Sequence, residues 1–369
     1  MNFSNLNTGV RNVKNVGKHI FGMGSLSNLK EIIEKRRIQK PGNTIFFLDN
    51  FFSDKNLLSQ LNVVKSKDIV QYINTEEEPT TTFINNIRDL ICKSSNVYPS
   101  LIVAIGGGCT LDVAKAVANL ITNPGNAEDY QGWDLVKNPA IYKIGIPTIS
   151  GTGSESTRTC VIINPINGLK LGMNSDYTVY DQLILDPELT STVPRDQYFW
   201  TGMDAYIHCV ESLQGNYRNA IGDSYSNQSI KLCREVFLSS DMQSDLNREK
   251  LMTASFLGGC AIGSSYVGVI HPFSAALSVV LGIHHCVANC IVMRSMENFY
   301  PIAYNEFWSM VSKQSVKIPA GICKNLTDQQ FDQLYNATII HDKPLTNALG
   351  NDYAKILTKE RVIHIFQKM

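Results

Sequence analysis

The sequence predicts an α/β domain built on a parallel sheet, followed by an all-helical domain, with the boundary near residue 187. Three observations carry this. Apolar, β-rich runs alternate with helix-like stretches up to Asp186-Pro187. Beyond that point β-rich runs become scarce and apolar residues recur at helical spacing. A chain of 369 residues suits two domains at roughly 100–200 residues each. Strand–helix–strand alternation calls for parallel strands joined by helical crossovers, hence a sheet covered by helices.

The elements follow in order. TIFFLD (44–49), LIVAIG (101–106) and KIGIPT (143–148) read as strands. SNLKEIIEKRR (27–37) and TFINNIRDLICKSS (82–95) read as helices between them. RTCVIIN (158–164) is a further strand before the turn PINGLK, and VYDQLILD (179–186) is the last. RDQYFWTGMDAYIHCVESL, NQSIKLCREVFLSS, NREKLMTASFLGGCAIGSSY and TKERVIHIFQKM then carry helical periodicity. No repeat, low-complexity tract or long linker separates 1–187 from 188–369, so the two domains share a fixed cleft of the kind ligands favour.

Charge narrows the function. Lys+Arg and Asp+Glu number 33 each, so no global field draws the chain to nucleic acid or an anionic membrane. With 44% hydrophobic and 18% charged residues, the chain supports a sizeable core. No apolar run approaches the roughly 20 residues of a membrane helix, and MNFSNLNTGVRNVKN at the start has no apolar signal region. Nine cysteines without CxxC pairing fit free thiols in a reducing compartment. A cytoplasmic enzyme is the expectation.

Two loops at successive strand ends suggest a nucleotide. Gly106, Gly107 and Gly108 stand between LIVAI and the helical stretch CTLDVAKAVANL. Glycines there let backbone N–H groups approach a phosphate, and the helix start adds partial positive charge. An ordinary βα turn would need one glycine. Asp112 and Lys115, in the first turns of that helix, read by themselves as surface or packing residues. Thr148 and Thr152 belong to the second loop, PTISGTGSE (147–155), whose neutral donors suit a diphosphate. Open α/β sheets bind ligands at the carboxyl ends of their strands. Asp49 closes TIFFLD, where an acid can hold ribose hydroxyls and favour NAD over NADP, or serve as a turn cap. FGMGS (21–25) lacks the third glycine of a dinucleotide fingerprint, follows no convincing strand and reads as a turn into the first helix.

The helical half offers a metal set. Asp204 and His208 are four apart and share a helix face. His271 and His285 are fourteen apart, about 21 Å on a straight helix. To share an ion the chain has to turn back between them, and Gly282 is the natural breaker. One carboxylate with three imidazoles suits Fe²⁺ or Zn²⁺ and leaves a position for water or a substrate oxygen. Any one of these histidines alone would read as a core residue. Cys209, Cys260, Cys286 and Cys290 lack zinc-finger spacing and read as structural thiols.

GGGCTLDVAK (106–115), PTISGTGSES (147–156), DPELTSTVP (186–194), TGMDAYIHCVES (201–212), His271 and His285 together resemble the iron-containing (group III) alcohol dehydrogenase family. The resemblance covers most of the chain. It implies a Rossmann-like first domain, a helical second domain (the dehydroquinate synthase-like fold), and NAD(P) in the cleft beside a divalent metal. It makes Asp204, His208, His271 and His285 the metal ligands. Gly106, Gly107, Gly108, Thr148 and Thr152 become cofactor contacts, with Asp112 beside them, Asp49 selecting NAD, and Lys170 the lysine that follows the serine-rich loop. It also suggests a homodimer.

Segments 154–162, 170–199, 206–226 and 346–369 resemble a branch of this family that oxidises the terminal (8-) hydroxyl of 3-deoxy-D-manno-octulosonate, an eight-carbon sugar acid, to an aldehyde. That reading implies an aminotransferase downstream in lipopolysaccharide sugar biosynthesis. Three departures from the family pattern stand out. Ala275 occupies a position where many members carry another His, so adjacent His284 becomes the candidate proton carrier. Cys286 replaces a glycine after the last ligand. Arg158 intrudes where the loop is usually apolar. Arg158, with Arg195 or Arg218, is expected to pair with a substrate carboxylate, the alternative being a salt bridge. The expected reaction is hydride transfer from an alcohol. Two other readings stay open: a dehydroquinate-synthase-like lyase that returns the hydride internally, and a non-catalytic binding protein on the same fold.

Overall fold

The computed structural model describes residues 13–94 and 98–369. The opening segment, read above as lacking a signal region, lies outside them for residues 1–12. Strands β1 (Lys18–Phe21), β2 (Thr44–Asp49), β3 (Ile69–Ile73), β4 (Leu101–Gly106), β5 (Gly132–Trp133), β6 (Lys143–Pro147), β7 (Thr159–Asn164), β8 (Leu169–Asn174) and β9 (Gln182–Leu185) all precede Pro187. Helices α1 (Leu29–Gln39), α2 (Leu57–Leu61), α3 (Thr81–Ser94) and α4 (Gly108–Thr122) lie among them.

Six strands form a parallel sheet in the order β1-β9-β6-β4-β2-β3. Every residue of β4 is buried, and the period of two divides its side chains between two cores. Ile102 and Ala104 join Ile45 and Phe47 on one face; Val103 and Ile105 join Phe46 and Leu48 on the other. Both faces are therefore covered, as the continuous apolar runs in the sequence require. β7 and β8 pair antiparallel and, with β5, make a separate three-stranded sheet. Expected strand 158–164 thus exists but leaves the main sheet.

Four strands escaped the sequence reading, among them β5, which is only two residues long. β3 (IVQYI) and β8 (LKLGMN) carry polar or glycine residues that weaken their pattern, and β1 (KHIF) is short, exposed and at the sheet edge. FGMGS therefore does follow a strand, contrary to expectation. It is nonetheless a turn into the first helix: Gly22 and Gly24 have positive φ, and Asp186 accepts the Gly24 and Leu26 amides at 3.0 and 2.9 Å.

After residue 187 all described elements are helical: α5 (Arg195–Gln214), α6 (Ala220–Phe237), α7 (Asp245–Ser264), α8 (Ile270–Leu281), α9 (His285–Met293), α10 (Pro301–Gln314), α11 (Asp328–Ile339), α12 (Asp342–Leu349), α13 (Tyr353–Ile356) and α14 (Lys359–Phe366). They enclose their own core around α5, which is buried almost throughout from Tyr198 to Ser212. Among the described residues no helix is long and apolar enough to cross a membrane.

The two halves interlock through the serine–glycine loop after β6. A Cβ on Gly151, at φ 148°, would lie 1.7 Å from the Thr201 carbonyl oxygen on α5. Ser156 Oγ donates to the Phe256 carbonyl at 2.8 Å, and Ser255 Oγ donates to Glu155 at 2.8 Å.

Candidate metal and nucleotide site

A cleft of about 800 Å³ opens between the carboxyl ends of the sheet and the helical half. Adjacent strands β2, β4 and β6 deliver Asp49, Gly106 and Thr148 to that end. Gly107 is the N-cap of the fifteen-residue α4 and has no side-chain cap, so the first amides of this helix remain available beside the cleft. Gly107 and Gly108 line the cleft; a Cβ on either would come within 3.0 Å of Ile149 or Thr152. Gly106 does not line it. Its lack of a side chain instead admits Thr110, 2.7 Å from where a Cβ would stand.

Thr148 and Thr152 line the cleft as well. The other polar groups of their loop are largely committed to holding the structure. Ser154 Oγ donates to Asp112 at 2.5 Å, and the Asp112 carboxylate also accepts the Val161 amide at 2.8 Å. Asp112 reaches the cleft, but these bonds tie the loop to β7. Lys115 packs: its ammonium donates to the Ser154 carbonyl at 2.8 Å and to Thr157 at 3.2 Å. Asp49 lines the cleft at the tip of β2 and accepts Phe51 N–H at 3.0 Å and the Thr75 hydroxyl at 3.3 Å.

Three members of the predicted metal set come together, and the fourth, His285, stands beside them. Asp204 and His208 sit on one face of α5. α8 ends at Gly282, in the left-handed region at φ 69°, and α9 begins at His285, so the chain turns back as the spacing demanded. The His271 and His285 rings then lie 5.4 Å apart, and His208 stacks on His271 at 4.7 Å. Asp204 Oδ1 is 3.4 Å from His208 Nε2 and 3.3 Å from His271 Nε2, while Oδ2 is 3.7 Å from His285 Nε2. Legs of about 2.0–2.2 Å in a tetrahedral site separate neighbouring donors by about 3.3–3.6 Å. Asp204, His208 and His271 keep their donor atoms within 4.8 Å of one another and fit one first-row divalent ion, whereas His285, 3.7 Å from Asp204 Oδ2, stands beside that group and outside it.

Electrostatics divide the imidazoles: two are neutral, and the third carries a proton that a metal would have to displace. Asp204 is fully buried, which alone would raise its carboxyl, yet the surrounding imidazoles hold it well below the usual range. Burial pushes His208 down to about 4 and His285 down to about 3, so both present neutral nitrogens. His271 moves the other way: burial opposes charge, but the Glu211 and Asp204 carboxylates raise it to about 9.

Sequence reasoning missed four groups here. Glu211 accepts the Ile270 amide at 2.5 Å and holds His271 Nδ1, which fixes that ring and leaves Nε2 facing Asp204. Glu211 lies seven residues, two turns, beyond Asp204, and helical spacing alone would have flagged it. Asn289, one turn after His285, donates to Asp204 at 2.7 Å. Cys286 Sγ donates to Asp204 at 3.7 Å, so this thiol sits at the site rather than in remote packing. Glu78 accepts the His285 amide at 3.0 Å and faces the Lys170 ammonium at 2.9 Å. Burial would raise Glu78, but Lys170 and His285 hold it down at about 2. Nothing in the spacing of Glu78 pointed to the site.

The remaining candidates are placed differently. His284 lines the cleft and is exposed, and Ala275 lines it too, as does His341. Arg158 also reaches the cleft, but its guanidinium pairs with Asp134 and, at 3.0 Å, with Asp176. Arg195 donates to Gln314 at 2.9 Å, and Arg218 pairs with Asp223 at 2.8 Å.

Comparison with known proteins follows the same division. The iron-containing alcohol dehydrogenase model matches residues 17–187, and the C-terminal model of the Fe-containing alcohol dehydrogenase family matches 199–338. Sulfoacetaldehyde reductase of Bilophila wadsworthia is 34% identical over 265 residues, which cover 71% of this chain and 67% of that protein. Alcohol dehydrogenase 4 of Schizosaccharomyces pombe is 27% identical over 76% of this chain and 66% of its own length. The aligned stretches thus span about two thirds of these relatives. Among solved structures, sulfoacetaldehyde reductase from Bifidobacterium kashiwanohense, in complex with NAD⁺, superposes with a TM-score of 0.78 at 22% identity, covering 96% of this chain and 97% of the other. At that identity the likeness carries the fold. With both domain models matched in order, and a relative 34% identical over two thirds of its length, this chain belongs to the iron-containing alcohol dehydrogenase family, a family of metal-dependent alcohol oxidoreductases.

Proposed function

We propose that this protein is an NAD-linked, metal-dependent oxidoreductase that moves a hydride between a nicotinamide and the carbon of an alcohol or aldehyde. The single observation that carries this is the gathering of Asp204, His208 and His271, with His285 beside them, at a cleft lined by the three imidazoles and by the open start of α4. These four residues would hold the metal, which when bound supplies Lewis-acid polarisation of the substrate oxygen. The cleft would orient a substrate against the nicotinamide. Gly107, Gly108, Thr148 and Thr152 offer neutral donors to a diphosphate, and Asp49 offers acceptors to ribose hydroxyls, which favours NAD over NADP. His284, exposed at the cleft, would pass the proton to solvent.

The finer reading is oxidation of the 8-hydroxyl of 3-deoxy-D-manno-octulosonate. The sequence segments quoted above are what support it; the relative from Bilophila is named for a different substrate, sulfoacetaldehyde. Arg158 would have to share its guanidinium between a substrate carboxylate and Asp134 and Asp176. Nine free cysteines, seven of them buried, support a reducing, cytoplasmic setting. A homodimer, and an aminotransferase consuming the aldehyde, belong to the same proposal.

The test is an anaerobic assay of the metal-reconstituted protein against short alcohols, polyols and sugar acids, with NAD or NADP, followed by nicotinamide absorbance. Net NADH formation is expected. Turnover confined to short primary alcohols would remove the sugar-acid reading and leave the dehydrogenase. Substrate consumption with no net NADH would point to internal hydride return and overturn both.

A further inference from the structure

Glu78 belongs to neither ligand set, yet it touches both. It stands in the connection between β3 and α3, in the α/β half, and its side chain is 13% exposed. One oxygen, Oε1, accepts the His285 backbone N–H at 3.0 Å and faces Lys170 Nζ at 2.9 Å. That N–H is the first of α9, and the preceding residue, His284, gives the helix no side-chain cap. Glu78 therefore caps, from the other half of the chain, the helix that carries a metal ligand. Its charge stands where the helix macrodipole favours an anion. Lys170, its second partner, lines the cleft assigned to the nucleotide.

We infer that Glu78 is a positioning residue that couples nucleotide binding to metal retention by dividing one carboxylate oxygen between Lys170 and the start of the His285 helix. The inference rests on the metal-plus-nicotinamide reading above. A nucleotide whose ribose or phosphate oxygens draw the Lys170 ammonium leaves more of Oε1 to the His285 amide. The cap on α9 tightens, and His285 is held more firmly opposite Asp204. Linkage makes the effect reciprocal: the metal strengthens nucleotide binding by the same factor.

The experiment measures Co²⁺ affinity by competition with a chromophoric chelator, with and without saturating NAD⁺. NAD⁺ affinity is measured in parallel by tryptophan fluorescence, with and without Co²⁺. In the unaltered protein each ligand is expected to tighten the other by about fivefold or more. Glu78→Gln keeps an acceptor for the His285 amide but no charge for Lys170. It should hold Co²⁺ within about threefold of the unaltered protein while the coupling falls to near unity. Glu78→Ala removes both functions and should weaken Co²⁺ by about 10–100-fold. Equal coupling in the unaltered protein and Glu78→Gln, or undiminished Co²⁺ affinity in Glu78→Ala, would overturn the bridge while leaving the enzyme reading intact. A protein that binds neither Co²⁺ nor NAD⁺ would overturn both.

Discussion

The two halves of the cleft are built on opposite principles. The side proposed for the nucleotide leans on backbone, glycines at strand ends and the uncapped start of α4, with Thr148, Thr152 and Asp49 added from the same short stretches of sequence. The metal side is made of side chains delivered by three helices, with Asp204 and His285 eighty-one residues apart in sequence. A backbone site tolerates changes of side chain so long as nothing grows into it. A side-chain site fails when any one donor, or the group that orients it, is lost. The difference can be tested from both sides.

The largest effect should come from Asp204. It contacts all three imidazoles and is fully buried. Asp204→Asn is expected to lower metal affinity by more than about 100-fold, beyond the cost typical of losing an outer partner, as read by metal content after dialysis against a chelator. The metal-free protein should still fold, because an amide fits where the carboxylate stood. Retained stoichiometric metal would refute the assignment. Next comes the joint between the halves. Gly151→Ala places a methyl on the Thr201 carbonyl and should cost about 3 kcal/mol or more in stability. A thermal melt within a degree of the unaltered protein would show that the loop can move away from α5.

Legibility in the sequence followed the same division. The three-glycine turn and the buried strands could be read because their cause is local: a continuous apolar run means two covered faces, and successive glycines mean close backbone approach. Asp204 with His208 was local too, on one helix face. His271 and His285 could be brought together only by supposing a chain reversal at Gly282, which the positive φ there supplies. Edge strand β1 and the polar strand β3 escaped because exposed or mixed strands carry little periodicity. Glu78 was invisible because its role depends on the packing of one half against the other. Arg158 illustrates the reverse error of emphasis: its charge was legible, but its two acidic neighbours, Asp134 and Asp176, are distant in sequence.

Glu211 lies between the two kinds of site, since it binds no ion but holds the ring of His271 and the amide of Ile270. Glu211→Gln is expected to reduce metal affinity by about 10–100-fold, with a smaller loss than for Asp204→Asn. Equal losses would mean that Glu211 belongs to the ligand set itself. Losses below about twofold would mean that packing alone orients His271.

The smallest effect concerns the sheet half, far from either ligand. Lys143 is buried at the start of β6, where its ammonium donates to the Tyr177 carbonyl at 2.7 Å and faces Asp181 at 3.8 Å. Burial, only partly offset by Asp181, lowers its pKa from 10.5 to about 8. Between these values the unfolded chain holds a proton that the folded chain has released, so this group makes stability rise with pH across that window. Below about 8 both states are protonated and the cost of burying the charge is fully present. Comparing chemical denaturation of the unaltered protein and Lys143→Met from pH 7.5 to 10 isolates the effect, because other titrating groups cancel in the difference. The stability of the unaltered protein relative to the variant should climb with pH. A flat difference would show that the Tyr177 carbonyl and Asp181 compensate the burial completely, and that the sheet half, unlike the metal half with its shifted Asp204 and His271, can hold a buried charge at its ordinary pKa.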